Sequence, residues 1–113
     1  MSGHCIFCKI IGREIPANIV YEDDLVLAFN DIHPAAPVHV LIIPKEHVET
    51  VEDVPAGDHI VAFLAERAVA IAKQLNLREG FRLVINNGDN GGQTVFHLHM
   101  HLLGGRFMTW PPG

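Results

Sequence analysis

"HLHMHLLGG", residues 97–105, alternates imidazole side chains with large apolar ones. Successive side chains of a β-strand point to opposite faces of the sheet, so this stretch predicts a strand with two unlike faces. One face carries His97, His99 and His101, and the other carries Leu98, Met100 and Leu102. We expect the apolar face to pack into the core and the histidine face to be available for chemistry.

The spacing of the histidines limits what they can do together. On a straight strand, which rises roughly 3.3 Å per residue, the Cα atoms of neighbouring histidines are roughly 6.6 Å apart and those of the outer pair roughly 13 Å apart. Two neighbours are close enough to share a metal ion, but all three are too far apart to bind one ion. We therefore expect the three histidines to have different tasks.

A glycine-rich loop, "NGDNGGQT" (residues 87–94), lies just before the histidines. Glycines allow the backbone to approach a ligand closely, and consecutive N–H groups form anion-binding nests. A neutral histidine is a nucleophile towards phosphorus, and its neighbours can donate to phosphoryl oxygens. The sequence offers no carboxylate cluster for Mg²⁺ near this loop. The combination predicts transfer at a phosphorus with little charge, such as the α-phosphate of a nucleotide ester or amide.

The rest of the chain predicts an α+β domain with one largely antiparallel sheet. Apolar periodicity indicates a short N-terminal helix that Gly12 and Pro16 end, and a long helix over residues 56–75. The strands expected are a hairpin in residues 18–32, a buried strand over 38–43, and a second hairpin formed by 80–86 and 94–103. We expect residues 1–113 to form a single domain with an irregular tail from about residue 104 to residue 113.

Composition excludes several classes of partner. The 113-residue chain has a formal net charge of −5 and no basic stripe, so polymeric nucleic acid is not an expected partner. No apolar run is long enough to span a bilayer, and the N-terminus lacks the features of a secretory signal, so we expect a cytoplasmic protein that does not bind membranes. Because a reducing compartment disfavours disulfides, Cys5 and Cys8 are expected to be either metal ligands or plain thiols.

The sequence resembles the histidine triad (HIT) superfamily. Its "HLHMHLL" matches the H-φ-H-φ-H-φ-φ signature of that family, where φ is apolar. The segments "CIFCKIIGREIPANIVYEDDLVLAFNDI", "APVHVLIIPKEH", "NNGDNGGQTVFHLHMHLLGGR" and "WPPG" are similar to the Hint branch, the purine nucleoside phosphoramidases. The resemblance implies a HIT-like fold with a short N-terminal helix, one long helix, and a sheet that continues across a homodimer.

The implied activity is cleavage of the bond between the α-phosphate of a purine nucleoside monophosphate and an amine or related leaving group. Purine nucleoside monophosphate conjugates are then the expected substrates, and no catalytic metal is expected. Three alternatives remain open: a nucleotide-binding interaction module with incidental hydrolysis, a dinucleoside polyphosphate hydrolase, and a metal-dependent hydrolase with His97 and His99 as ligands.

The resemblance also implies a role for individual residues. His99 would be the nucleophile that forms a nucleotidyl-histidine intermediate, His101 would bond the phosphoryl oxygens, and His97 and His39 would support the site. Asp31 would accept from the ribose hydroxyls. The positions around the phosphate and the leaving group would be Asn86, Gln93 and Thr94. The purine slot would be formed by Ile6, Phe7, Ile10, Phe29, Ile32 and Leu41.

Histidine triad proteins that have the cysteine pair bind structural zinc through it. The resemblance implies a Zn²⁺ site whose ligands are Cys5, Cys8, His47 and His97. Two thiolates and two imidazoles complete a tetrahedral structural site. Such a site leaves His99 and His101 available for catalysis.

The long helix carries a candidate interface for the expected homodimer. This helix carries a stripe of small apolar residues, at Val61, Ala65, Ala68 and Ala72. Such a stripe is equally consistent with the high helix propensity of alanine and with a subunit interface. The resemblance implies pairing through this helix and the neighbouring strand, with Trp110 reaching the active site of the partner subunit.

Overall fold

The computed structural model describes residues 5–113, and within them one five-stranded antiparallel sheet packs against two α-helices. The sheet has the strand order β1-β2-β3-β5-β4. In chain order the elements are α1 Ile6–Ile11, β1 Ile19–Glu22, β2 Val26–Asn30, β3 Val38–Pro44, a short 3₁₀ turn Val51–Asp53, α2 Ile60–Gln74, β4 Phe81–Val84 and β5 Met100–Gly104. The predicted α+β class, with one antiparallel sheet, a short helix and a long helix, is confirmed.

The backbone groups at both ends of the short helix α1 are satisfied by Cys5 and by Gly12, and Gly12 is one of the two residues predicted to end the helix. The sulfur of Cys5 accepts a hydrogen bond from the Cys8 backbone N–H at 3.2 Å, which satisfies a donor of the first turn. At the other end the Gly12 N–H donates to the Cys8 carbonyl at 2.9 Å. The helix buries Phe7 and Ile10 against the sheet, so it closes one face of the core.

The long helix α2 begins at Ile60, four residues later than the sequence predicts. The preceding residues form a turn in which the Asp58 N–H donates to the Pro55 carbonyl at 3.0 Å. Gly57 in this turn has a φ of 88°, which an α-helix cannot contain. The Asp58 carboxylate then accepts from the Ile60 N–H at 2.9 Å, and regular helix follows.

The stripe of small residues on α2 belongs to the core of this chain. Ala68 and Ala72 are buried against the sheet, and Val61 and Ala65 pack against the same cluster. The close approach of helix and sheet explains the small side chains. Ala68 and Ala72 are therefore core residues of this chain, and the pairing of two copies through α2 stays a prediction.

The sheet separates two apolar clusters because both of its faces are covered. Alternate residues of β3 point to opposite sides, so Val40 and Ile42 join the cluster under α2, whereas Leu41 and Ile43 join the cluster under α1. We call these the α2 face and the α1 face of the sheet. His39 lies two residues before Leu41 and shares its face, so the α1 face also carries the candidate site.

The histidine segment forms less strand than expected. β5 begins at Met100, so His97 and His99 precede the strand, although Leu98, Met100 and Leu102 still join the α2-face cluster as predicted. The ladder between β3 and β5 ends with the pair Ile42–Met100. Two residues further along β3, Pro44 has no N–H to donate, and its carbonyl accepts from the His97 ring instead.

Candidate active site

The structure brings three imidazoles, those of His99, His101 and His39, into one row on the α1 face. The ring centroids of His99 and His101 are 4.9 Å apart, and those of His101 and His39 are 5.2 Å apart. His97 turns away from this row to the two cysteines and His47. The expected division of tasks among the triad histidines therefore has a structural basis, because His97 lies in a different cluster from His99 and His101.

His99 is held in one tautomer by its neighbour in the chain. Its Nδ1 lies 2.7 Å from the His97 carbonyl oxygen. A carbonyl only accepts hydrogen bonds, so Nδ1 carries the proton and Nε2 has the free lone pair. The ring is 7% exposed and meets the Phe7 ring edge to face at 5.2 Å. Burial lowers the pKa of His99, which keeps the imidazole neutral.

The tautomers of His39 and His101 follow from a chain of hydrogen bonds. The Ala35 backbone N–H donates to His39 Nδ1 at 3.0 Å, so the proton of a neutral His39 is on Nε2. This Nε2 lies 2.9 Å from His101 Nδ1, to which it donates. His101 therefore carries its own proton on Nε2.

The Nε2 atom of His101 is buried and has no hydrogen-bond partner within the described part of the chain. A buried donor without an acceptor destabilises a protein by about 1–3 kcal/mol, so such atoms call for an explanation. A phosphoryl oxygen of a bound ligand is an acceptor of the required kind. The resting site thus presents a nucleophilic nitrogen on His99 next to a histidine with a spare donor.

Burial lowers the pKa values of His101 and His39. Burial, together with the charges of His99 and His39, lowers the pKa of His101 to about 4. Burial also lowers the pKa of His39, while Asp31, whose carboxylate oxygen is 3.5 Å from His39 Nε2, acts in the opposite direction. Both rings are therefore neutral near pH 7.

The low pKa of His101 predicts an acid-sensitive fold. An unfolded histidine takes up a proton near pH 6.5, but folded His101 resists it until about pH 4, so stability falls as the pH drops through this window. From about pH 7.5 to 4.5 we expect His101 to account for a loss of about 2–3 kcal/mol in the free energy of unfolding. Urea unfolding of wild type and of His101→Gln at both pH values, at equal zinc concentration, measures the difference. His59→Gln, at an exposed histidine, should behave as wild type, and an equal pH dependence in all three proteins would contradict the assignment.

Other predicted polar positions fall in different surroundings. Asp31 lies against His39, and its other carboxylate oxygen accepts from the His33 N–H at 2.8 Å. Asn86 lines a cavity of about 480 Å³ together with His39 and His101. The contact of Asp31 with ribose and that of Asn86 with the leaving group stay predictions.

The side chains of Gln93 and Thr94 lie in different surroundings. The Gln93 amide is buried, accepting from the Gly88 N–H at 2.9 Å and donating to the Glu49 and Val95 carbonyls at 2.7 and 3.0 Å. Its side chain therefore fixes the shape of the glycine-rich loop. Thr94 is exposed and lines a second cavity of about 300 Å³ beside Ile6 and His47.

The six apolar residues predicted for the purine slot form two groups. Ile6 is 45% exposed and Ile32 is 85% exposed. The other four, Phe7, Ile10, Phe29 and Leu41, are buried together in the α1-face cluster. The buried four form an apolar layer beside His99, and the exposed two have surface that a ligand could cover.

The four residues predicted to bind zinc are close together. Cys5 Sγ is 3.3 Å from His97 Nδ1, and Cys8 Sγ is 3.3 Å from His47 Nδ1. The two Nδ1 atoms are 3.1 Å apart, and one ligand atom from each of the four residues lies within 4.8 Å of the others. A tetrahedral zinc ion with Zn–S bonds near 2.3 Å and Zn–N bonds near 2.0 Å needs separations of about this size.

The tautomer of His97 also suits a metal ligand. Its Nε2 is 2.8 Å from the Pro44 carbonyl oxygen and therefore carries the proton, which leaves the lone pair of Nδ1 for the cluster. His97 is fully buried, and burial lowers its pKa to about 4. The donor set of two thiols and two neutral imidazoles fits Zn²⁺.

Two contributions to the site were not found from the sequence. The Ala35 N–H sets the tautomer of His39 through a backbone contact for which the residue type gives no signal. Arg82 lines the same cavity as His39 and His101. A charged residue inside the apolar strand "FRLV" was the available signal for Arg82.

The described residues contain no helix that is both long and apolar enough to cross a membrane.

Comparison with known proteins agrees with this geometry. The HIT domain family model matches residues 12–108. The "14 kDa zinc-binding protein" of Zea mays is 51% identical to this chain, and the match covers 96% of this chain and 87% of the maize protein. The "Adenylylsulfatase HINT1" of Arabidopsis thaliana is also 51% identical, and the match covers 96% of this chain and 76% of the Arabidopsis protein. The crystal structure of a HIT family hydrolase from Legionella pneumophila Philadelphia 1 has a TM-score of 0.94 at 53% identity, covering 97% of this chain and all of that one. The chain therefore belongs to the HIT domain family.

Proposed function

We propose that this protein is a hydrolase that cleaves the P–N bond of purine nucleoside 5′-phosphoramidates through a covalent intermediate on His99. The observation that carries the proposal is the fixed tautomer of His99, whose Nδ1–H is held by the His97 carbonyl and whose Nε2 is left as a neutral nucleophile. The relation to a HIT family hydrolase supports the reaction class.

The reaction has two displacements. His99 Nε2 attacks the α-phosphorus, the P–N bond breaks, and its electron pair goes to the amine nitrogen, which leaves with an added proton. Water then attacks the same phosphorus, the bond to His99 breaks, and the nucleoside monophosphate is released while the water proton returns to the site. The sum is one phosphoramidate and one water converted to one monophosphate and one amine.

The remaining histidines stabilise this reaction. His101 donates from Nε2 to a phosphoryl oxygen, where charge builds up in each transition state. His39 supports His101 through the 2.9 Å hydrogen bond between their rings, and the nearby Asp31 carboxylate favours a proton on this pair. His97 positions His99 through its carbonyl oxygen.

Adenylyl sulfate is a second candidate substrate, because one relative is named for an activity on it. The Arabidopsis protein is named an adenylylsulfatase, and adenylyl sulfate has the same α-phosphate with sulfate as the leaving group. The alternative of a catalytic metal shared by His97 and His99 is disfavoured, because His97 Nδ1 lies among the cysteines and His99 Nδ1 is occupied by a carbonyl.

We further propose a structural zinc ion at Cys5, Cys8, His47 and His97, supported by the cluster geometry and by the relatives named as zinc-binding proteins. Thiol ligands persist in a reducing compartment, which supports the expected cytoplasmic location. For the homodimer, the support is the position of β4 at one edge of the sheet, where pairing with a second copy would satisfy its open backbone groups.

The test is hydrolysis of adenosine 5′-phosphoramidate, adenylyl sulfate and a diadenosine polyphosphate by the purified protein. We expect the phosphoramidate to give adenosine monophosphate and ammonia with the highest kcat/KM of the three. Retention of this activity after metal chelation, in protein that stays folded, would separate the proposal from a metal-dependent hydrolase. Tight binding of adenosine monophosphate without turnover of any substrate would contradict the proposal and favour a binding module.

A further inference from the structure

The register of the sheet places Arg82 on the same face as the histidines. Arg82 lies opposite Leu103 on β5, and Leu103 lies opposite His39 on β3. Residues directly opposite each other in antiparallel strands have their side chains on the same face. The next residue, Leu83, packs into the α2-face cluster, so Arg82 belongs to the α1 face.

Arg82 also shares a cavity with these histidines. The cavity has a volume of about 480 Å³, and its polar lining includes His39, His101, Asn86 and Arg82. Pro112 and Gly113 of the tail form part of its wall. The cavity is large enough to hold a small leaving group next to the nucleotide site.

The guanidinium of Arg82 has more N–H donors than the one hydrogen bond described for it uses. It donates to the Thr109 carbonyl at 2.8 Å and lies 5.9 Å from the centroid of the Trp110 ring. No carboxylate within residues 5–113 forms an ion pair with it. A guanidinium has five N–H donors in a fork that matches a carboxylate or another oxyanion.

Two other charged residues near this cavity, Asp31 and Arg106, are engaged by their neighbours. Asp31 lies against His39, and Arg106 donates to the Ala35 carbonyl at 3.1 Å. The chain as a whole has a formal net charge of −5. A cation that forms no ion pair among residues 5–113 therefore lines the cavity beside His39 and His101.

We propose that Arg82 forms a leaving-group subsite that selects substrates whose leaving group carries an oxyanion, above all the carboxylate of an amino acid joined through its nitrogen to the α-phosphate. The inference rests on the proposed phosphoramidase function. Arg82 binds the carboxylate of the leaving group, while the bond that breaks and the attack by His99 are unchanged.

The test compares two substrates of equal size, the adenosine 5′-phosphoramidates of glycine and of glycinamide, which differ in the charge of the leaving group. We expect wild type to prefer the glycine conjugate. Because a hydrogen bond to a charged group is strong, Arg82→Gln should lower kcat/KM for the glycine conjugate by about 10–100-fold and that for glycinamide by less than about threefold. Adenylyl sulfate, as a second oxyanion source, should follow the glycine conjugate.

Two further variants separate charge from structure. Arg82→Lys keeps the charge and should retain part of the preference, and Arg78→Gln removes one exposed positive charge elsewhere and should leave it unchanged.

Each contrary outcome has a distinct meaning. The subsite is wrong if Arg82→Gln lowers kcat/KM for both conjugates equally, if Arg82→Lys behaves as Arg82→Gln, or if wild type prefers the glycinamide conjugate. The proposed function itself is wrong, and the subsite with it, if wild type hydrolyses neither conjugate. Activity on both conjugates without an effect of Arg82 overturns the subsite alone.

Discussion

Replacing His99 by alanine is expected to reduce phosphoramidate hydrolysis by roughly 10⁴-fold or more in kcat, as for other nucleophiles that form covalent intermediates. The reason is that His99 is the ring of the row whose nucleophilic nitrogen is fixed by a backbone carbonyl. His101 and His39 would remain, but each of their Nδ1 atoms accepts a hydrogen bond and each Nε2 carries a proton. Neither can replace the lost nucleophile without changing tautomer.

The measurement is single-turnover hydrolysis of adenosine 5′-phosphoramidate, with binding of adenosine monophosphate measured on the same samples. Binding by His99→Ala should stay within about tenfold of wild type, since the other contacts to the phosphate remain. His59→Ala, at an exposed histidine before α2, is the matched control and should hydrolyse the substrate at the wild-type rate. Comparable turnover by His99→Ala and wild type would show that the nucleophile is assigned to the wrong residue.

Removal of zinc is expected to have the largest effect on stability. The cluster joins Cys5 and Cys8 near α1 to His47 after β3 and to His97 before β5, so one ion bound there would link three separate parts of the chain. Metal binding to such a site is coupled directly to folding. We expect the metal-free protein to lose at least about 3 kcal/mol of unfolding free energy, or roughly 10 °C or more in Tm.

Metal analysis and thermal unfolding test this expectation. Wild type should contain one equivalent of zinc, and chelation should lower its Tm. The variant with Cys5→Ser and Cys8→Ser should contain no zinc, should melt near the chelated wild type, and should not respond to chelator. Wild type that is fully stable without metal, after expression with ample zinc, would contradict the site.

The loss of zinc should also affect catalysis indirectly, because His97 is both a cluster member and the residue whose carbonyl holds His99. The two clusters are thus joined through two residues of backbone. The proposed structural site and the proposed catalytic site therefore share one short segment, residues 97–101.

Local sequence patterns were sufficient to predict most of the fold. The alternation of apolar and histidine residues assigned Leu98, Met100 and Leu102 to the core, and Gly12 marked the end of α1, because both signals depend on neighbours in the chain. The length of β5 was not predictable in this way. It is limited by Pro44, which lies on another strand and cannot continue the ladder.

The candidate site was predictable as a set of residues but less so as an arrangement. The motif identified His99 and His101 as candidates, whereas no residue pattern indicated that the Ala35 N–H would set the tautomer of His39. The alanine stripe on α2 left two interpretations open for a related reason: helical periodicity identifies an apolar face but does not identify what covers it. Here the sheet of the same chain covers it.

The stereochemical course at phosphorus tests the central proposal most directly. A phosphorothioamidate of adenosine with one configuration at phosphorus, hydrolysed by wild type in ¹⁸O-labelled water, gives a thiophosphate whose configuration records the number of displacements. Attack by His99 followed by attack by water inverts the configuration at phosphorus twice, so the proposed mechanism predicts net retention. Net inversion would show that water attacks the substrate directly, and would contradict a covalent intermediate on His99.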